Sequence, residues 1–218
     1  MKKICILFLA VIFGNILAAS HQVYSYRETV KDSSAITYYE VVETDTLIKR
    51  IYKIGKEQQI SYYNKNYQTT KFVYQDKDSN YTVVPQHGKL VASGIRDGEK
   101  LYEEFKLEED SPWWQSMSYS LSRFVNSEAQ EVSYQVFVIG KLDVMQMQAE
   151  KEEIETIAIE GTNYNASKVK ISISGFWGNF WSAYYWFRES DGLFLKYEGA
   201  NGPPGTPTTL IEFIEKIK

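Results

Sequence analysis

Val169-Lys170-Ile171-Ser172-Ile173-Ser174-Gly175 and Trp181-Ser182-Ala183-Tyr184-Tyr185-Trp186-Phe187-Arg188, with Leu193-Phe194-Leu195-Lys196-Tyr197-Glu198 beyond the turn Glu189-Ser190-Asp191-Gly192, decide the fold class of this chain. Apolar and polar residues alternate in the first run, and β-branched or aromatic residues dominate all three, which is the signature of strands and not of helices. Gly192 supplies the positive φ that a short hairpin loop requires. Side chains alternate across a strand, so Trp181, Ala183, Tyr185 and Phe187 share one face while Ser182, Tyr184, Trp186 and Arg188 share the other. If Phe194 joins Tyr184 and Trp186, that second face carries three rings of roughly 150–250 Å² each. Soluble monomers rarely leave so large an apolar patch uncovered, so another part of the chain, a ligand or a partner protein must lie over it. Cover by the same chain is the default expectation, because aromatic residues usually serve as core.

Working outward, the rest of the chain repeats the strand pattern. Val23 to Val30 and Ile36 to Val42 alternate around Lys31-Asp32-Ser33-Ser34, and short runs rich in Tyr, Val, Ile and Thr follow at Leu47–Ile54, Gln59–Asn64, Thr69–Tyr74 and Tyr81–Pro85. Lys89–Ile95 and Lys100–Leu107 form a further hairpin around Arg96-Asp97-Gly98-Glu99. Turn signals spaced by roughly 8–12 residues predict an antiparallel sheet that curls toward a barrel or sandwich. One helix interrupts the pattern: Ser111 as cap, Pro112 at the first helical position, then Trp114, Met117, Leu121 and Phe124 at helical spacing. Strands resume at Glu131–Ile139, Asp143–Ala149, Ile154–Ile159 and Val169–Ile173, with Glu150-Lys151-Glu152-Glu153 read as a hairpin turn, and the last is Thr208–Ile214. Gly199 to Pro207 reads as a loop stiffened by proline. The expected fold is mainly β, a curved antiparallel sheet or open β-barrel with the helix Pro112–Phe124 on its concave side.

Lys2 and Lys3 precede the apolar run Ile4–Ile16, and Ala18, Ala19 and Ser20 are small. This predicts a signal peptide over residues 1–20, followed by a single β-rich domain over 21–218 that is exported to the periplasm or beyond the cell. The lone cysteine, Cys5, falls in that leader. The mature chain is then cysteine-free, without disulfides, thiolate chemistry or a Cys-bound zinc. Loss of Lys2 and Lys3 takes the formal charge from −4 to −6, which speaks against nucleic acid as a partner. No later run reaches the length of a membrane-spanning helix.

Motifs of catalysis are missing. The two histidines, His21 and His87, are too few for a His-rich metal site, and no metal or other cofactor is expected. Asp76-Lys77-Asp78 lacks the rest of a calcium loop, and no GxSxG, HExxH or GxxxxGK[ST] pattern occurs. Glu189 and Asp191 lie beside aromatic residues on which a sugar could stack, but two carboxylates in one turn normally serve as hydrated turn formers.

Ser118-Tyr119-Ser120-Leu121-Ser122-Arg123-Phe124-Val125, Lys141-Leu142-Asp143-Val144, Gly161 to Val169 and Trp186 to Tyr197 together resemble the secreted bacterial domain-of-unknown-function family 3108 over nearly the whole mature chain. The resemblance implies an exported β-rich protein with no established activity. In plan the chain is also similar to periplasmic lipoprotein carriers, whose curved sheet wraps a helix and shelters an acyl chain; that likeness is one of fold alone.

Three function classes stay open: a noncatalytic carrier or sensor of an apolar ligand such as an acyl chain or lipid, a glycan-binding or glycan-cleaving protein, and a structural or envelope-assembly protein with no small ligand, whose partner would be another envelope protein. All five tryptophans fall in two places, which suggests that helix start and hairpin meet. The candidate ligand-binding residues are therefore Trp113, Trp114, Met117, Trp177, Trp181, Tyr184 and Trp186.

Overall fold

The computed structural model describes residues 20–175, 181–200 and 206–218. Residues of the expected leader, Trp177 in the hairpin approach and most of the Gly/Pro-rich loop lie outside these. Eight strands come first: β1 (Ser20–Val30), β2 (Ser33–Glu43), β3 (Ile48–Ile54), β4 (Glu57–Tyr63), β5 (Thr69–Gln75), β6 (Asn80–Gln86), β7 (Lys89–Arg96) and β8 (Glu99–Lys106). Then come helix α1 (Met117–Val125) and six more strands: β9 (Glu131–Val138), β10 (Asp143–Ile159), β11 (Thr162–Ile173), β12 (Ser182–Arg188), β13 (Phe194–Ala200) and β14 (Thr208–Lys216).

All fourteen pair antiparallel in one sheet, in the order β8-β7-β6-β5-β4-β3-β2-β1-β14-β13-β12-β11-β10-β9. Except for β8 and β9, strands that are neighbours in sequence pair, and the one long-range pairing joins β1 to β14. The first and last strands thus sit side by side in the middle, while β8 and β9 are the two edges. The segment that links those edges has to cross the concave face, and it carries α1. Bulges at Ser25/Tyr26, Tyr62/Tyr63, Lys151/Ile154 and Trp186/Phe187 bend individual strands and add twist. The sheet curls until Phe105 of β8 meets Phe137 of β9 edge to face at 5.4 Å, yet the edges do not pair and the barrel stays open. Edge β8 is protected by its charges, Glu99, Lys100, Glu103, Glu104 and Lys106.

The hairpin forms as its sequence predicts. Gly192 has φ +71°, its N–H donates to Arg188 O at 2.8 Å, and Arg188 N–H donates to Leu193 O at 2.8 Å. Arg188 grips Asp191 with two bonds, Nε to Oδ1 at 2.8 Å and Nη2 to Oδ2 at 2.6 Å. This guanidinium holds the Asp191 carboxyl below its ordinary range, with help from the Leu193 N–H. Phe194 does not join Tyr184 and Trp186. The bulge pairs Trp186 with Lys196 and Phe187 with Phe194, which turns Phe194 to the concave face, where it stacks on Tyr26 at 5.2 Å.

Two other expectations are corrected. The helix begins at Met117, with Ser116 at its N-cap, and not at Pro112 behind Ser111. Pro112 to Gln115 stays out of the helix because its backbone is engaged elsewhere. Gln135 N–H donates to Pro112 O at 2.8 Å, Trp114 N–H donates to Gln135 O at 2.9 Å, and Thr69 N–H donates to Trp113 O at 3.1 Å. Tertiary pairing outweighs a helix-start signal worth about 1 kcal/mol. Glu150-Lys151-Glu152-Glu153 is not a turn but lies inside the 17-residue β10, at its bulge. Strand β11 pairs with β10 on both sides of that bulge, so the charged run is accommodated without ending the strand.

Leu121 and Phe124 point from α1 into a core that also holds Tyr134, Val169, Tyr185 and Phe187. Leu121 is fully buried, so Leu121→Ala is expected to lower unfolding free energy by about 2–5 kcal/mol in urea titrations; a loss below about 0.5 kcal/mol would place it outside the core. The depressed Asp191 pKa sets a pH dependence: its ion pair stabilises the fold above the unfolded-state value near 3.9, and that contribution is lost as pH falls through the lower folded value. The pair is half-exposed, so Asp191→Asn should cost less than about 1 kcal/mol at neutral pH, and the gap between the two proteins should close in acid.

Candidate functional site

The concave face is a trough filled by packed side chains, mainly tyrosine and phenylalanine. Strand alternation brings Tyr26 of β1, Tyr39 of β2, Tyr185 and Phe187 of β12, Phe194 and Tyr197 of β13 and Phe213 of β14 onto it, and all are buried. Their rings touch in sequence: Tyr26 to Tyr39 at 4.7 Å, Tyr185 to Phe194 at 5.7 Å and Tyr185 to Tyr197 at 4.9 Å. Gly199 makes this packing possible, because a Cβ there would lie 2.2 Å from Ala183 Cβ. Phenol oxygens give the trough polar points. Tyr26 O–H donates to Phe194 O at 2.9 Å and Tyr52 O–H donates to Glu28 Oε2 at 3.0 Å. Burial pushes the Tyr39 phenol up to about 12 and also raises those of Tyr26 and Tyr185, so all three stay protonated donors.

One cation lies among these rings. Arg50 of β3 is 4% exposed, with its guanidinium 4.2 Å from the Tyr39 ring centre. Its Nη1 donates to Ser116 Oγ at the start of α1. Among the described residues it forms no ion pair with a carboxylate. The nearby Glu28 accepts from Tyr52, and Glu43, further along the face of β2, pairs with Lys65 at 3.0 Å.

Helix α1 is held over the trough by a few side chains. Tyr119 lies between Tyr63 and Tyr67, at 5.0 Å and 5.3 Å, and Arg123 stands 5.7 Å from the Tyr67 ring. Tyr134 O–H donates to Met117 Sδ at 3.1 Å. At the far end α1 approaches the hairpin turn, where a Cβ on Gly192 would lie 2.9 Å from Asn126 Nδ2.

The residues singled out from the sequence are dispersed. Trp114 stacks on Tyr134 at 4.9 Å, and the Tyr134 hydroxyl reaches Met117 at the start of α1. Trp113 packs in a second cluster with Phe72, Tyr81, Val83 and Phe137, and its indole N–H donates to Gln115. Trp181 donates to Ala200 O at 3.0 Å beside the core. Tyr184 and Trp186 occupy the convex face, and Trp177 lies outside the described residues. Helix and hairpin do meet, through Leu121, Phe124 and Gly192, and among the described residues no tryptophan cluster joins them.

The convex rings are covered by the chain itself. Lys168 Nζ sits 4.6 Å over Tyr184, and Lys196 Nζ sits 4.6 Å over Trp186. The Trp186 indole donates to Glu155, and that side chain is 6% exposed. Lysine stems supply apolar cover while their ammonium groups stay attached to ring faces. Sequence reasoning missed Arg50, although Ile48 and Tyr52 flank it with period two while Lys49 and Lys53 alternate outward, which is the pattern of an inward arginine.

Among the described residues no group of three or more His, Cys, Asp or Glu is placed to hold a metal, and no helix is long and apolar enough to cross a membrane. No family model matches the chain and no curated protein does, so the resemblance to family 3108 gains no support. Among solved structures, the chain shares its fold with a β-barrel-like protein of domain of unknown function DUF1849 from Brucella abortus, at TM-score 0.64 and 8% identity over 90% of this chain and 96% of that one. Looser likenesses are to the hypothetical lipoprotein YmcC of Escherichia coli K12 (TM-score 0.36, 10% identity, 89% and 86% covered) and the LolA superfamily protein NE2245 of Nitrosomonas europaea (0.27, 6%, 92% and 86%).

Proposed function

We propose that this chain is an exported, noncatalytic carrier or sensor of an apolar ligand bearing an acyl chain, taken up in the concave trough beneath α1. The observation that carries the reading is the continuous aromatic layer that fills that trough, from Tyr39 and Tyr26 through Phe194 and Tyr185 to Tyr197, covered in part by a nine-residue helix. A helix this short is marginal by itself in water and owes its position to tertiary contacts, so it is the element that a ligand can displace at least cost.

Two observations count against the glycan reading. Asp191 is bound at both oxygens by Arg188 and held below the usual carboxylate range, which is the wrong direction for an acid catalyst. The convex rings on which a sugar would stack already carry Lys168 and Lys196.

Burial of an acyl chain yields about 0.8 kcal/mol per methylene, so about ten methylenes give a gross gain near the 8 kcal/mol of micromolar binding, and longer chains offset the cost of association. Titration with a long-chain fatty acid or lysophospholipid is expected to shift tryptophan emission saturably, and Trp114→Phe should reduce that shift because Trp114 stacks on Tyr134, whose hydroxyl reaches the start of α1. Organic extracts of the protein purified from its native host should contain a retained lipid by mass spectrometry. No saturable response and no lipid in the extract would rule the carrier reading out.

A further inference from the structure

The arginine in the trough has a consequence for what the ligand must look like. Arg50 carries five N–H donors and a permanent charge, and the structure gives it Ser116 Oγ and the face of Tyr39. A buried guanidinium is ordinarily matched by a carboxylate or phosphate, with which it pairs through two parallel bonds. Two more buried hydroxyls, on the strand and the helix that flank Arg50, have no hydrogen-bond partner of good geometry. The Tyr63 hydroxyl is fully buried beside Ser61, Ser116 and Arg50, yet makes no hydrogen bond of good geometry. The Ser120 hydroxyl is fully buried and likewise unpartnered; it lies one helical turn from Ser116, on the same side of α1. Ser116 makes no capping hydrogen bond with its side chain, and the first turn of α1 contains no acidic residue. The helix N-terminus therefore adds its partial positive charge to the same place.

From this convergence we infer that Arg50, Tyr63 and Ser120, together with the first turn of α1, form an anion site for the ionised carboxylate or phosphate head of an acyl amphiphile. The inference rests on the carrier reading above and narrows it to acidic ligands. The head group replaces Ser116 Oγ as the acceptor for Arg50, and the chain runs over Tyr39 and Tyr26 along the trough. Binding the head then exchanges one contact of α1 for the ligand, which couples occupancy to the position of the helix.

The test compares dodecanoic acid, dodecanol and inorganic phosphate by calorimetry on the folded protein, at a pH where the acid is ionised. The acid is expected to bind about tenfold or more tighter than the alcohol, as a charge-assisted contact in a buried site requires, and phosphate alone to bind far more weakly than the acid. Arg50→Gln should abolish the preference for the acid while leaving alcohol binding in place. Where Arg50→Gln does not fold, Tyr63→Phe carries the same comparison, with a smaller expected loss of preference. Equal binding of acid and alcohol would overturn the anion site and leave the carrier reading standing. An acid preference that survives both substitutions would overturn it too, by placing head recognition elsewhere. Phosphate binding as tight as the acid would mean a site for free anions, and no binding of either amphiphile would remove both readings together.

Discussion

Gln135 is the joint on which the architecture turns. It lies on the edge strand β9 and is almost fully buried, and its backbone and side chain together hold the crossover from β8. Its amide Nε2 donates to Glu108 O and Ser111 O at 3.0 and 2.8 Å, while Oε1 accepts from Glu108 N–H at 2.8 Å. A meander whose first and last strands pair in the middle leaves its two edges to be joined across the concave face. That join needs backbone partners, because buried peptide groups left without them cost about 1–3 kcal/mol each. The edge of β9 provides some of them, and β5 provides the rest through Thr69. Everything under the crossover follows from this: the late start of α1, the place of Ser116 over Arg50, and the burial of Trp113 and Trp114 on different clusters.

The two faces of the sheet solve the same problem by different means. Each presents large aromatic rings, and each must keep water from them. On the concave face rings pack against rings and against Leu121 and Phe124, which excludes solvent and leaves the phenols to find acceptors nearby. On the convex face Lys168 and Lys196 lie over Tyr184 and Trp186, with Glu152 and Glu198 pairing the ammonium groups at 3.0 and 2.9 Å. The convex cover is charged at its outer surface and needs no partner. The concave cover contains an arginine that has no carboxylate partner among the described residues, and that is the asymmetry between the two faces.

Where the sequence misled, a second chemistry competed with the local one. Ser111-Pro112 is a sound helix-start signal, but Pro112 to Gln115 are engaged with Thr69 and Gln135, which are 43 residues before and 23 residues after Pro112 in the chain. The acidic run at Glu150–Glu153 looks like a turn, yet a bulge absorbs it because β11 continues to pair on either side. Phe194 changes face through the skipped residue Leu195, and a single-residue bulge of that kind reverses the orientation of everything beyond it. The clustering of tryptophan along the chain likewise says nothing about distance in space, since adjacent strand residues point to opposite faces.

By itself the sequence determined the class of fold. Period-two alternation, turn residues at short intervals and the single stretch of helical spacing were sufficient for a curved antiparallel sheet with one helix, and for the hairpin at Gly192 with its two faces. These are local properties, set by backbone sterics and by neighbours a few residues away. The site was decided only by tertiary structure. Arg50, Tyr63 and Ser116 to Ser120 come from β3, β4 and the crossover, and they meet because curvature and the edge-to-edge connection fold the crossover back onto the sheet. Their burial side by side is a property of that meeting, and no pattern confined to one strand or one helix carries it.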